Sequence, residues 1–263
     1  MRALRLHPPG RIEDLWLEEI QLPEAGPGQV LVRVHAAAIT RDELEWSIDR
    51  LPAIPSYELS GIVAEDADGI SAGAEVYGLT PFDRDGVAAE YAVVPVEALA
   101  TKPSSLNHIQ AAALPMAGLS AWQGLLVHGR LEPGERLAVT GSHGGVGHVA
   151  VQLAHGRGAT VVEAGEQCDL LFDTAGGDAL ATAAEQAGRI VTIAADVPGA
   201  LYFVVEANRQ QLLELARLIE SGRVRPEIDS IFPLADARAA FARTAARGKR
   251  GKVVLSVVEQ AGA

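Results

Sequence analysis

The stretch Arg136–Ala154, RLAVTGSHGGVGHVAVQLA, constrains this chain more than any other. A short apolar run, Leu137 to Val139, meets the glycine-rich turn Gly141-Ser-His-Gly-Gly-Val-Gly147. Val146, Val149, Ala150 and Leu153 then recur at helical spacing. Strand, tight turn and helix N-terminus therefore follow one another. The glycines let backbone approach a pyrophosphate, while free N–H groups and the helix dipole favour its charge. Against the G-x-G-x-x-G fingerprint, Ser142 replaces the first glycine, and Gly144 and Gly147 fill the other two positions. The strand before and the helix after favour dinucleotide binding over a plain structural turn. Ser142, His143, Gly144, Gly145, Val146 and Gly147 are the candidate cofactor contacts.

Downstream of the turn the pattern alternates. Strands are predicted at Thr160–Val162, Leu170–Phe172, Ile190–Ala194 and Leu201–Val205, with helices over Ala179–Ala187 and from Arg209 to a stop at Gly222. Such alternation means a parallel sheet with helices on both faces. Residues 1–100 read differently. Gln29–Ala36 alternates apolar and polar residues with period two, and Leu59–Ala64, Glu75–Leu79 and Glu90–Pro95 are further short strands between glycine or acidic turns. Many short strands of this kind suggest a barrel-like unit. Ala111–Val127 reads as a helix kinked or restarted at Pro115. Lys252–Val258 is a last strand, expected to return to the first domain.

Composition narrows the function. The chain has 263 residues, enough for two domains with real cores, and a formal charge of −12, which disfavours nucleic acid and anionic membranes as partners. The basic cluster Arg243–Lys252 is short and reads as solvated surface. Cys168 is the only cysteine, which excludes an internal disulfide and any multi-cysteine metal site. The N-terminal stretch MRALRLHPPG lacks an apolar signal-type run, and no segment approaches a membrane span, so the expected location is the cytoplasm.

The same sequence carries Pro55-Ser-Tyr-Glu-Leu-Ser-Gly61, Val76-Tyr-Gly-Leu79, Gly86-Val-Ala-Ala-Glu-Tyr91, Ala111-Ala-Ala-Leu-Pro115, Gly118-Leu-Ser-Ala-Trp122, Phe172-Asp-Thr-Ala-Gly-Gly177, Phe232-Pro-Leu234 with Ala240-Phe241, and Gly251-Lys-Val-Val-Leu255. In this order, with the glycine turn, these segments resemble the zinc-independent quinone-oxidoreductase branch of the medium-chain dehydrogenase/reductase superfamily. The resemblance implies an α/β fold: a GroES-like β-barrel domain over residues 1–105 and 225–263, and a Rossmann doubly wound parallel sheet over 106–224. It also implies NAD(P)H in the cleft between the domains, hydride transfer to a small quinone, enone or enoyl-type substrate, and a homodimer formed through the Rossmann domain.

Three departures qualify this. Zinc-using relatives carry a histidine before the glutamate of Ser56-Tyr57-Glu58; here Tyr57 stands there, so no zinc or other metal is expected. Secondly, only Glu163–Asp169 separate the second and third strands of the sheet, where a full Rossmann half places a further helix and strand of roughly two dozen residues. The Rossmann domain thus lacks one strand-helix unit. Its second strand is expected to be a sheet edge, with the adenosine pocket shallow or absent. Thirdly, Glu163 ends that strand, where its carboxylate can accept from a ribose 2′-hydroxyl and would repel a 2′-phosphate, unless it is simply a solvated turn residue.

Within the GroES-like domain the resemblance places Thr40 where many relatives have a polar residue near the substrate. Tyr57 can donate to a carbonyl oxygen as charge develops there, or else only pack. Asp42, Glu43 and Trp46 are further pocket candidates, with Asp42 and Glu43 placed at a helix start where they could equally cap it. Asp173 ends the third strand at the carboxyl edge of the sheet, where ligands of this fold gather. Two functions remain open at this stage. One is a zinc-free NAD(P)H-dependent reductase. The other is a descendant of the fold that has lost the cofactor and performs a cyclisation or isomerisation, or simply binds a ligand. The missing unit leaves cofactor binding weak in the first case and lost in the second.

Overall fold

The computed structural model describes residues 1–258 with the exception of 47, 68 and 247. In chain order the elements are strands β1 (Arg2–Leu6), β2 (Leu15–Glu19), β3 (Gln29–Ile39), β4 (Glu58–Val63), β5 (Glu75–Leu79), β6 (Tyr91–Pro95) and β7 (Leu99–Thr101), then helices α1 (His108–Ala112) and α2 (Pro115–Trp122). Strand β8 (Arg136–Thr140), helix α3 (Gly147–Arg157), strands β9 (Thr160–Val162) and β10 (Cys168–Asp173), helix α4 (Gly177–Ala184) and strands β11 (Ala187–Thr192) and β12 (Leu201–Tyr202) follow. Helix α5 (Arg209–Glu220), strand β13 (Ile228–Pro233), helix α6 (Ala237–Ala245) and strand β14 (Lys252–Ser256) come last. Among the described residues no helix is long and apolar enough to cross a membrane.

The elements fall into two compact units. One comprises Met1–Pro115, Ala207–Arg217 and the chain from Pro226; the other comprises Met116–Glu206 and Leu218–Arg225. Residues 106–115 and 207–217, assigned from sequence to the nucleotide domain, lie in the first. There Ile109, Ala112 and Ala113 pack on Ala36, Ala38 and Val254, and the Tyr77 hydroxyl donates to Leu212 O at 2.6 Å.

The first unit is the GroES-like domain. Its main sheet runs β13-β14-β3-β4-β5-β7, with β6 also pairing β3. Strand β3 is long enough to pair β6 along Gln29–Arg33 and β14 along Ala36–Ile39, while β4 pairs Val32–Ala38 with a bulge between Val34 and Ala36. The alternation seen up to Ala36 stops because the second half of β3 is covered on both faces. Ala36 and Ala38 meet α1, and Ala37 and Ile39 join the main core. Helix α1 starts at His108 rather than Ala111, because Asn107 and Gln110 form a capping box that an apolar pattern does not reveal. Pro115 restarts the helix as expected, and its last turn, Gln123–His128, is a π-helix.

The second unit holds a parallel sheet in the order β12-β11-β10-β8-β9. As expected, β9 lies at the edge and pairs only with β8. The connection from β9 to β10 passes the foot of β8, where Arg136 holds it: Nε donates to Gln167 O at 2.8 Å, and the main-chain N–H donates to Asp169 Oδ2 at 2.8 Å. No helix crosses there, and β10 sits directly beside β8. Two sequence expectations need correction. The alanine-rich helix ends at Ala184, because Ala187 pairs with Cys168 and so opens β11. The expected strand Leu201–Val205 shrinks to two residues, because β11 ends at Thr192 and the Gln123 amide takes over the backbone of Glu206, at 2.8 and 3.0 Å.

Candidate active site

The glycine turn is built by close approach. Gly141 has φ 66°, and Gly144 N–H donates to Gly141 O at 2.8 Å. A Cβ on Gly147 would lie 2.1 Å from Gly141 O, so only glycine fits where α3 begins. No side chain caps that helix start. His148 Nδ1 instead donates to Gly144 O at 2.9 Å, one residue into the helix, and steadies the turn from below. His143 is exposed, Ser142, Gly144, Gly145 and Val146 are half-buried, and Gly147 is buried. Glycine-rich backbone at a helix N-terminus suits a pyrophosphate.

Asp173 is fully buried at the carboxyl end of β10. The registers align Thr140, Asp173 and Thr192 across three strands. The Asp173 carboxylate accepts from both threonine hydroxyls and from the N–H groups of Ala175 and Gly176. It clasps the strand ends under the glycine turn. Glu163 is exposed beyond β9, its N–H donating to Glu166 Oε1 at 3.1 Å. Cys168 heads β10 rather than lying in a loop; burial, more than the neighbouring Asp169 charge, pushes its thiol up, away from nucleophilic use.

Around Thr40 the first unit gathers a set of groups that the sequence kept apart. Glu43, Ser56, Glu58 and Lys252 are all buried, and Thr40 is half-buried. Thr40 N–H donates to Glu43 Oε2 at 2.8 Å and Ser56 N–H to Glu43 Oε1 at 3.1 Å. Glu43 therefore ties two loops together from a 3-10 turn, Glu43–Glu45, that follows Asp42 in the left-handed region at φ 64°. Ser56 is also left-handed, at φ 67°, held by its hydroxyl donating to Ala38 O at 2.8 Å. Lys252 Nζ donates to Thr40 Oγ1 at 3.0 Å and pairs with Glu58. This corrects the reading of Lys252 as the end of a solvated basic run.

Tyr57 is buried, with the Arg50 guanidinium 3.5 Å from its hydroxyl. Its ring packs edge-on against Phe82, at 5.2 Å between centroids, and lies 5.9 Å from Trp46, which is partly exposed. Arg50 also donates to Phe82 O at 2.6 Å. Lys252, Glu58, Arg50 and Phe82 escaped sequence reading. A lysine opening the apolar strand Lys252–Leu255 was the available signal for the first of them.

A GroES-like domain joined in one chain to a parallel sheet with a glycine turn at its first helix defines the two-domain class of dehydrogenases and reductases. Residues 26–104 match the alcohol dehydrogenase GroES-like domain, and residues 148–255 match the zinc-binding dehydrogenase family. An NADPH-dependent alkenal/one oxidoreductase of Arabidopsis thaliana is 30% identical, over 94% of this chain and 77% of its own length. A 2-methylene-furan-3-one reductase of Solanum lycopersicum is 29% identical over 94% and 76%. The quinone oxidoreductase structure from Coxiella burnetii superposes with a TM-score of 0.90 at 26% identity, covering 98% of this chain and 99% of that one. The chain belongs to the medium-chain dehydrogenase/reductase superfamily, in its quinone-oxidoreductase-like branch, and is an oxidoreductase.

Proposed function

We propose that the protein is a zinc-independent reductase that uses NAD(P)H to reduce a small quinone, enone or enoyl-type compound. The observation that carries this is the turn Gly141–Gly147 at the start of α3, closed so tightly that a Cβ on Gly147 would lie 2.1 Å from Gly141 O, with backbone N–H groups at a helix N-terminus that would suit a pyrophosphate. The cofactor, when bound, supplies the hydride. The protein's own share is to hold and orient the reactants and to offer a hydrogen bond to the acceptor oxygen. Thr40 is the residue assigned that contact. Tyr57, buried between Arg50 and Phe82, is assigned to shaping the aromatic wall with Trp46. The zinc-free reading is supported by the donor set: among the described residues no group of three or more His, Cys, Asp or Glu is placed to hold a metal ion.

The cofactor preference follows from β9. With no strand beyond it among the described residues, the adenosine end of a bound nucleotide would lose part of its wall. Burial contributes about 25 cal/mol per Å², so leaving on the order of 100 Å² of adenine uncovered forfeits about 2.5 kcal/mol. That weakens binding about 60-fold, tenfold for every 1.4 kcal/mol. Glu163 adds repulsion specific to a 2′-phosphate. The Arabidopsis relative is named for NADPH; in this chain Glu163 favours NADH. Calorimetric titration is expected to show weak binding, NADH at least as tight as NADPH, and a smaller difference in Glu163→Ala. Low-micromolar NADPH binding preferred over NADH would overturn the cofactor assignment, and no binding of either at millimolar concentration would overturn the reductase. The partner is assigned as a second copy joined at β12, beside which Leu201, Tyr202 and Val204 are exposed at 44%, 42% and 57%.

A further inference from the structure

Glu43, Glu58 and Lys252 place three ionisable side chains in the interior of one small domain, at 1%, 0% and 4% exposure. Apolar residues of similar volume commonly replace a buried ion pair such as Glu58–Lys252 without loss of stability, so its presence suggests a task other than holding the fold. The geometry around Thr40 shows what that task is. Lys252 Nζ is paired with Glu58 and stands 3.0 Å from Thr40 Oγ1. An ammonium has three hydrogens to give and no lone pair to offer. Thr40 Oγ1 is therefore the acceptor, and its own hydrogen points away from Lys252. The Thr40 main chain is fixed as well, through its N–H to Glu43 Oε2 at 2.8 Å. A hydroxyl that accepts from a cation in a low-dielectric interior becomes a stronger donor in turn. Thr40 itself is only half-buried, unlike Glu43, Glu58 and Lys252 around it.

We propose, resting on the reductase reading, that Lys252 is a positioning residue that commits the Thr40 hydroxyl to donate a hydrogen bond to the carbonyl oxygen of the acceptor. Reduction of an enone adds, at its β-carbon, the hydride that a bound nicotinamide cofactor would supply. The C=C electron pair shifts toward the carbonyl, and negative charge collects on the oxygen. Thr40 stabilises that charge and keeps its proton; water supplies the proton that finally adds at the α-carbon. Glu58 holds Lys252 in place. Preorganised donation of this kind acts where charge develops and needs no rearrangement during the reaction.

The test uses cyclohex-2-enone as acceptor and, labelled with ¹³C at the carbonyl, as a spectroscopic probe. Lys252→Met alone would strand the Glu58 carboxylate in the interior, so the informative variant is Lys252→Met/Glu58→Gln, checked for folding by circular dichroism. Thr40→Val is expected to lower kcat about 100-fold with KM for the nucleotide little changed, and Thr40→Ser to keep most of the rate. The paired variant is expected to lower kcat about tenfold on its own and less than twofold in a Thr40→Val background, because both changes remove one hydrogen bond. Effects that multiply, or a Thr40→Val enzyme with unchanged kcat, would overturn the proposal. A second readout needs no cofactor. The infrared carbonyl band of the labelled enone is expected at lower frequency on the protein, with the shift lost in Thr40→Val and reduced in the paired variant. An unshifted band overturns the hydrogen bond whatever becomes of nucleotide binding. A shifted band without nucleotide binding upholds it and defeats only the reductase reading.

Discussion

Glu43 gives the stability of this chain a pH dependence of its own. Burial pushes its carboxyl up to about 8, against the opposing pull of the Thr40 N–H and the Lys252 charge. In the unfolded chain the same group returns to about 4.3. Between these values the native state holds a proton that the unfolded state has released, so stability falls as pH rises. The contribution is whole below about pH 4.3, declines through neutrality and is gone above about pH 8. Glu43→Gln has no such titration. Urea unfolding is expected to show the wild-type stability, taken relative to Glu43→Gln, decreasing from about pH 5 to about pH 8. A flat or rising difference would mean an ionised Glu43 throughout. Residue roles of this sort were the least legible in sequence. Glu43 and Asp42 read as helix-capping candidates by local spacing, and Glu43 does accept the local Thr40 N–H, but its second donor, Ser56, lies on another loop that no spacing reveals. Lys252 read as surface because its neighbours in sequence are basic, while its ion-pair partner Glu58 lies at the other end of the domain sequence.

At the scale of elements, the glycine turn was readable because each of its requirements is local. Backbone approach, left-handed φ and helical periodicity all lie within a dozen residues. Gly147→Ala is expected to force the turn open, since the Cβ would meet Gly141 O at 2.1 Å, and to weaken NADH binding at least about tenfold in calorimetric titration. Gly156 in the same helix is the control. A Cβ there meets nothing within 4 Å, and Gly156→Ala is expected to stabilise the protein by about 0.5–1 kcal/mol in urea unfolding with NADH affinity unchanged. Element borders were less readable wherever a distant partner sets them. The sequence 179–187 is rich in helix-forming alanine, yet Ala187 enters β11 because Cys168 offers a parallel partner. The run 201–205 is as apolar as any strand, yet it stops pairing where β11 stops.

For the whole molecule, the missing strand-helix unit was visible by counting, because too few residues separate β9 from β10 to make a crossover. The edge strand β12 was visible only as an apolar run, and its exposed side chains appear once the sheet order is known. If that edge joins two copies, Val204→Lys is expected to give a monomer by light scattering while the parent is a dimer, and equal masses would remove the edge from the interface. The opposite edge has a different consequence. A parallel sheet stripped of an outer strand exposes unpaired N–H and C=O groups, the template on which stray chains stack into cross-β aggregates. Here that template is three residues long, and the chain leaves it straight into Glu163, with Glu166 held close by Arg136. An incoming strand would find little ladder to lengthen and two carboxylates at its end. The shortening that thins the adenosine wall therefore also guards the bare edge, and a sheet that has lost an outer strand keeps itself from recruiting its neighbours.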